Sequence, residues 1–193
     1  MGLARRAQGD TLGAIAALER AVTAEPQNPT GYVLLGWTQH LAGQSEPAAR
    51  SLWQAIARHP THIEAFQALG IVYLVRGELT PAIWSHLWAA LWNPQGDIAP
   101  YNLSLAYHRQ GLPTLALAYG QRAATLAPDN PHPWLALALA HHQDGNGAAM
   151  VAALRNAQRH QAALNDPAFR REDLTYAGFD AAQIAQINRL WTP

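Results

Sequence analysis

The feature that most constrains this chain is a self-similarity at a lag of 34 residues. Small residues recur at Gly2, Gly36, Gly70, Ser104 and Ala138, and a second set of glycines at Gly9, Gly43, Gly77, Gly111 and Gly145. Alanines recur at Ala14, Ala48, Ala82 and Ala116, with Met150 in the last place, and again at Ala21, Ala55, Ala89, Ala123 and Ala157. Prolines follow at Pro26, Pro60, Pro94 and Pro128, with Ala162 in the fifth position. Several columns agreeing at one period mark a stack of repeated supersecondary units, each too small to bury its own apolar face.

The columns also say what the unit is. In Thr61 to Pro94, apolar and small residues recur at helical spacing on both sides of Arg76-Gly77-Glu78, which predicts two helices and a turn. Small residues let two helices approach closely, the glycine ends the first in a left-handed conformation, and the proline stops the second. Thr80 with Pro81 is read as the second helix's start, through a hydroxyl cap and a proline that has no N–H to leave unpaired.

The pattern Phe66-x2-Leu69-Gly70-x2-Tyr73, then Ala82, then Pro94, resembles the tetratricopeptide repeat. The resemblance covers roughly residues 1–162. It implies an all-α, right-handed superhelical solenoid of about five helix-turn-helix repeats: a partial first repeat at 1–26, then 27–60, 61–94, 95–128 and 129–162. Tyr32, Phe66 and Trp134 fill a large first-helix column that Pro100 interrupts.

Beyond the repeats, Asp166-Pro167 and the Asp180/Gln183 pair are two further helix starts. Residues 163–193 are read as a capping helical hairpin over the last apolar face. The alternative places the final helix back in the groove.

Composition narrows the function classes. Charged residues are 13% of the chain and cancel to a net charge of zero, so the basic field of a nucleic-acid binder is missing. With no cysteine, disulfides and thiolate chemistry are excluded. Within the uncharged run from Leu79 to Gln95, a helix between Pro81 and Pro94 spans about 20 Å against an apolar bilayer core of about 30 Å. No signal peptide or transmembrane segment is read, and the expected location is cytoplasmic. The nine histidines form no metal-binding motif, and no serine sits in a nucleophile elbow. No cofactor, metal or catalytic residue is expected; a metal-dependent enzyme is the remote reading.

The resemblance implies a concave groove lined by first helices. Its columns are Val33, Leu34, Trp37, His40 and Leu41; Gln67, Ile71, Leu74 and Val75; Tyr101, Asn102, Leu105, His108 and Arg109; and Leu135, Leu139 and His142. So apolar a lining calls for an amphipathic helix or an extended apolar peptide, with His40, His108, Arg109 and His142 as an orienting polar edge. Of the residues with which chaperone-binding members clamp a terminal carboxylate, only Asn102 has a counterpart. On the opposite, convex side, Trp84 and Trp88 stand one helical turn apart where other units have Arg50, Gln54, Ala118 and Arg122, with Trp53 in the preceding unit. They form a second expected contact surface. Trp92 falls in a column that the family fills with a buried leucine.

The expected function is a non-enzymatic scaffold, an adaptor or assembly factor. Its alternative is an oligomerisation module that self-associates through the open first repeat and the tryptophan patch. Peripheral contact with a membrane surface is left open.

Overall fold

Residues 10–191 are described by a computed structural model in two compact units, Met1–Trp92 and Asn93–Pro193. The expected features at Gly2 and Gly9 lie outside the described residues. All regular structure among the described residues is helical.

Unit 1 runs α1 (Thr11–Ala24), α2 (Pro29–Leu41), α3 (Ser45–Arg58), α4 (Ile63–Val75) and α5 (Leu79–Trp92). Its starts follow from sequence: the Asp10 carboxylate accepts from the Gly13 N–H, and the Asn28 side chain accepts from the Thr30 N–H ahead of Pro29. The α5 start corrects the expectation. The helix begins at Leu79, one residue before Thr80, with the Ala82 N–H bonded to the Glu78 carbonyl. Pro81 therefore sits inside the first turn, where N–H groups have no intrahelical partner and its ring costs nothing.

Helices α2 and α3 pack as one pair, α4 and α5 as the next. The column residues explain the closeness. A Cβ at Gly36 would come within 2.7 Å of Leu52, and one at Gly70 within 2.5 Å of the His86 ring. Ala48, Ala55, Ala82 and Ala89 are fully buried between the helices. The turns use the recurrent glycines as expected: Gly43 and Gly77 have φ of 75° and 76°, the left-handed region that side-chain-bearing residues avoid.

Unit 2 runs α6 (Ile98–Arg109), α7 (Pro113–Leu126), α8 (Pro131–Gln143), α9 (Gly147–His160), a 3₁₀ turn (Ala162–Asn165), α10 (Pro167–Tyr176) and α11 (Ala181–Leu190). Pairs α6/α7 and α8/α9 repeat the arrangement of unit 1, and Gly111 and Gly145 turn with φ of 73° and 78°. The size pattern is inverted in α6/α7. Ser104 stands on the small column, and Gly120 faces it where unit 1 has Leu52 and His86. The Ser104 hydroxyl, buried by this approach, donates to the Ala116 carbonyl at 2.8 Å. Pro100 breaks the column without breaking the helix, because it lies in the first turn of α6. Both C-terminal starts are realised: Asp166 caps α10, and Asp180 with Gln183 forms a reciprocal capping box on α11.

Candidate protein-interaction site

The two units treat the same columns differently. In unit 1, Val33, Leu34, Trp37 and His40 on α2, with Gln67 and Ile71 on α4, are half-buried. Leu74 is buried, a correction to its expected place on an open groove: it turns into the core of the helix pair. Leu41 at the end of α2 is 50% exposed and Val75 at the end of α4 is 56% exposed. Trp37 and His40 lie against each other with ring centroids 5.2 Å apart. Burial holds the His40 imidazole below its ordinary pKa, so it stands neutral at physiological pH and suits an apolar neighbour.

In unit 2 the corresponding columns are occupied by the chain itself. Leu105, Leu135 and Leu139 are fully buried and Asn102 nearly so, its amide bonded back to the Ile98 carbonyl. These four are therefore not open groove, contrary to expectation; His142 alone of the α8 group is exposed. The last helix, α11, packs against α8, and its Gln183 side chain reaches the Leu105 carbonyl of α6.

Its anchor is Gln183, itself buried. The Gln183 amide donates to the Leu105 carbonyl and to His108 Nδ1, both at 3.2 Å, while its oxygen accepts from Arg109 Nε and from the Asp180 N–H, both at 3.1 Å. Arg109 also pairs with the Asp180 carboxylate at 2.9 Å and donates to the Gly178 carbonyl at 3.0 Å. Tyr101 donates to the Ala177 carbonyl at 2.6 Å, and His132 meets Asp173 at 2.8 Å. Every polar valence a buried glutamine offers is thus used, as a buried amide requires.

The electrostatics agree with this seating. Burial lowers the His108 pKa, with Asp180 opposing and Arg109 and His142 assisting, so Nδ1 is free to accept. Burial also weakens the hold of Arg109 on its proton, but against so high a starting value that the guanidinium stays charged. Burial, and secondarily the Asp173 charge, raise the Tyr101 pKa and keep it a neutral donor.

The expected polar edge of His108 and Arg109 therefore orients a helix, and that helix is α11. Sequence reasoning found the Asp180/Gln183 capping box but missed its second use. The Gln183 bonds to Leu105 and His108 span 78 and 75 residues, and no sequence spacing marks them.

On α5, Trp84 is 61% exposed and Trp88 44%. Leu91 and Trp92, at 60% and 45%, extend the stripe, so Trp92 does not take the buried role expected of it. Trp88 leans on Phe66 of α4 with centroids 6.3 Å apart. Trp53 of α3 is also exposed, and its ring N–H donates to the Tyr73 hydroxyl at 3.0 Å. Among the described residues no three acidic or histidine side chains gather as a metal site needs, and no helix is long and apolar enough to cross a membrane.

Two stretches, residues 5–70 and 88–131, match family models described as tetratricopeptide repeat, and together they span more than half the chain. The chain belongs to the tetratricopeptide repeat family. Its fold is the all-α helical repeat solenoid of that family. A crystal structure of MamA is similar, at 25% identity over 84% of this chain and 95% of that one, with a TM-score of 0.76. TTC0263, a thermophilic tetratricopeptide repeat protein of Thermus thermophilus, matches at 25% identity over 90% and 94% with a TM-score of 0.68. MamA of Desulfovibrio magneticus shares the fold at 16% identity, covering 86% and 93%, with a TM-score of 0.77. No curated protein matches in sequence. Membership makes this chain a protein-interaction scaffold with protein partners, in a family whose members are generally non-catalytic.

Proposed function

We propose that the chain is an adaptor or assembly factor that holds an amphipathic helix or apolar peptide against the α2 and α4 face of unit 1. The observation that carries this reading is a register comparison. Leu41, Val75 and Arg109 share one column at the end of successive first helices. In unit 2 the polar Arg109 is matched by the polar start of the chain's own helix. In unit 1 the same position is apolar and exposed, in Leu41 and Val75, so it favours a partner whose contacting residues are apolar and uncharged. His40, kept neutral by burial, and Gln67 supply hydrogen bonds that fix register without demanding a charge.

On this reading unit 2 carries its own α10 and α11 as a built-in cover, so the open capacity for partners lies in unit 1. The exposed stripe of α5 is a second contact surface for a further component.

Fluorescence anisotropy with a labelled synthetic amphipathic helix, leucine-lined and uncharged on one face, tests the first surface. Leu41→Glu and Val75→Glu each sit at exposed positions and leave folding intact. Each should weaken binding at least ~10-fold, by placing a charge against an apolar partner. Equal affinity of wild type and both variants removes the α2 and α4 face as the site.

A further inference from the structure

The helix that carries the second surface of the proposed scaffold, α5, has an unusual property: it holds no charged residue. From Leu79 to Gly96 there is no Asp, Glu, Lys or Arg, and the one titratable side chain there, His86, is buried. At the two columns occupied by Trp84 and Trp88, α3 carries Arg50 and Gln54 and α7 carries Ala118 and Arg122. Only α5 replaces such residues by a continuous aromatic stripe at i, i+4 and i+8.

We infer that this stripe is a two-fold self-association surface, in which α5 of one copy packs antiparallel on α5 of a second copy of this chain. This rests on the scaffold reading and names the occupant of its second surface. Three observations favour it.

The first is neutrality. Across a two-fold axis every residue meets the same patch on its partner, so any charge near the axis faces its own sign. A stripe of one sign would be repelled by a second copy, and α5 has no charge to repel. The same lack of Lys and Arg removes the attraction that holds interfacial helices to anionic membranes.

The second is area. With about 250 Å² for a whole tryptophan, the exposed fractions of Trp84, Trp88 and Trp92 together with Leu91 amount to roughly 450 Å² per copy. Two copies remove roughly 900 Å², which with Leu87 and the rim reaches the ~1,000 Å² at which specific but dissociable contacts begin.

The third is shape. Trp84, Leu87, Trp88 and Leu91 line an apolar hollow of about 240 Å³. Trp88 lies midway along a stripe of about 12 Å from Trp84 to Trp92. In an antiparallel pair centred near Trp88, Trp84 of each copy meets Leu91 and Trp92 of the other.

Sedimentation equilibrium of the full chain, from low to high micromolar concentration, tests the inference. The wild-type mass should rise from 21.0 kDa towards twice that value. Trp84→Glu and Leu91→Glu, both at highly exposed positions, should each raise the dimer Kd at least ~30-fold, the effect expected of a hot-spot aromatic and its apolar partner. Their circular dichroism and melting curves should match wild type. A mass fixed at 21.0 kDa throughout, or a dimer indifferent to both variants, overturns the inference. So does a monomer that binds zwitterionic vesicles through Trp84, which makes the stripe a membrane contact. If the dimer is absent while the leucine-lined peptide still binds unit 1, only the self-association is lost and the scaffold reading stands.

Discussion

Units 1 and 2 are built from the same columns and present different surfaces. In both, recurrent glycines turn the chain with φ between 73° and 78° and recurrent alanines vanish between paired helices. On top of that shared interior, unit 2 lays α11 across its first helices and uses Gln183, Asp180 and Arg109 to hold it. Unit 1 instead leaves Leu41 and Val75 exposed at one face and the α5 tryptophans at another. The difference shows that the period-setting residues specify how helices pair, and that recognition is written in the residues between them.

The comparison can be strained from both sides. Ile187 of α11 is fully buried, so Ile187→Ala should cost about 2–5 kcal/mol by denaturant unfolding, whereas Val75→Ala at the exposed end of α4 should stay within about 0.5 kcal/mol. Comparable losses at the two sites would mean that the two faces are not differently covered.

Unit 1 carries its own liability in the core. His86 occupies the column filled by Leu18, Leu52 and Leu154. It is fully buried with no hydrogen-bond partner for either ring nitrogen, and burial lowers its pKa to about 3. The unfolded chain binds a proton near the ordinary histidine value, so stability from this site is complete above that value and falls as pH drops towards the folded pKa. Between pH 7 and pH 5 the loss should be about 2 kcal/mol. Denaturant titrations at both pH values check it, and His86→Leu should flatten the dependence; an unchanged slope would assign the acid sensitivity elsewhere. His108 adds a smaller loss of the same sign in unit 2, since protonation at Nδ1 would end its acceptance from Gln183.

Asp180→Ala removes both the α11 cap and the partner of Arg109. The expected cost is about 1–2 kcal/mol, seen as faster hydrogen exchange in residues 178–190 with unit 1 unaffected. The turn glycines should respond equally in the two units: Gly77→Ala and Gly111→Ala place a side chain at nearly identical positive φ and should each cost about 1 kcal/mol.

Much of the interior was legible in the sequence because it depends on contacts within one period. The turn glycines, the buried alanines and the caps at Asp166 and Asp180 all follow from neighbours a few residues away or from a fixed lag. The α5 start was misread because Thr80-Pro81 imitates a cap, while the tight glycine turn already launches the helix at Leu79. Burial of Leu105, Leu135 and Leu139 could not be read from spacing. Around Leu105 a helix outside the repeat contributes, through the bond from Gln183 to the Leu105 carbonyl that spans 78 residues. Trp92 was read by its column, yet it shares the exposed stripe of Trp84 and Trp88.

The most direct test of the contrast is to map an added apolar helix on the full chain by amide NMR. Titration with the leucine-lined peptide should shift resonances around Leu41, Ile71 and Val75 and leave those of Leu105, Leu139 and Gln183 in place. Shifts centred on Leu105 and Gln183, with exchange of residues 178–190 rising as α11 is displaced, would contradict it.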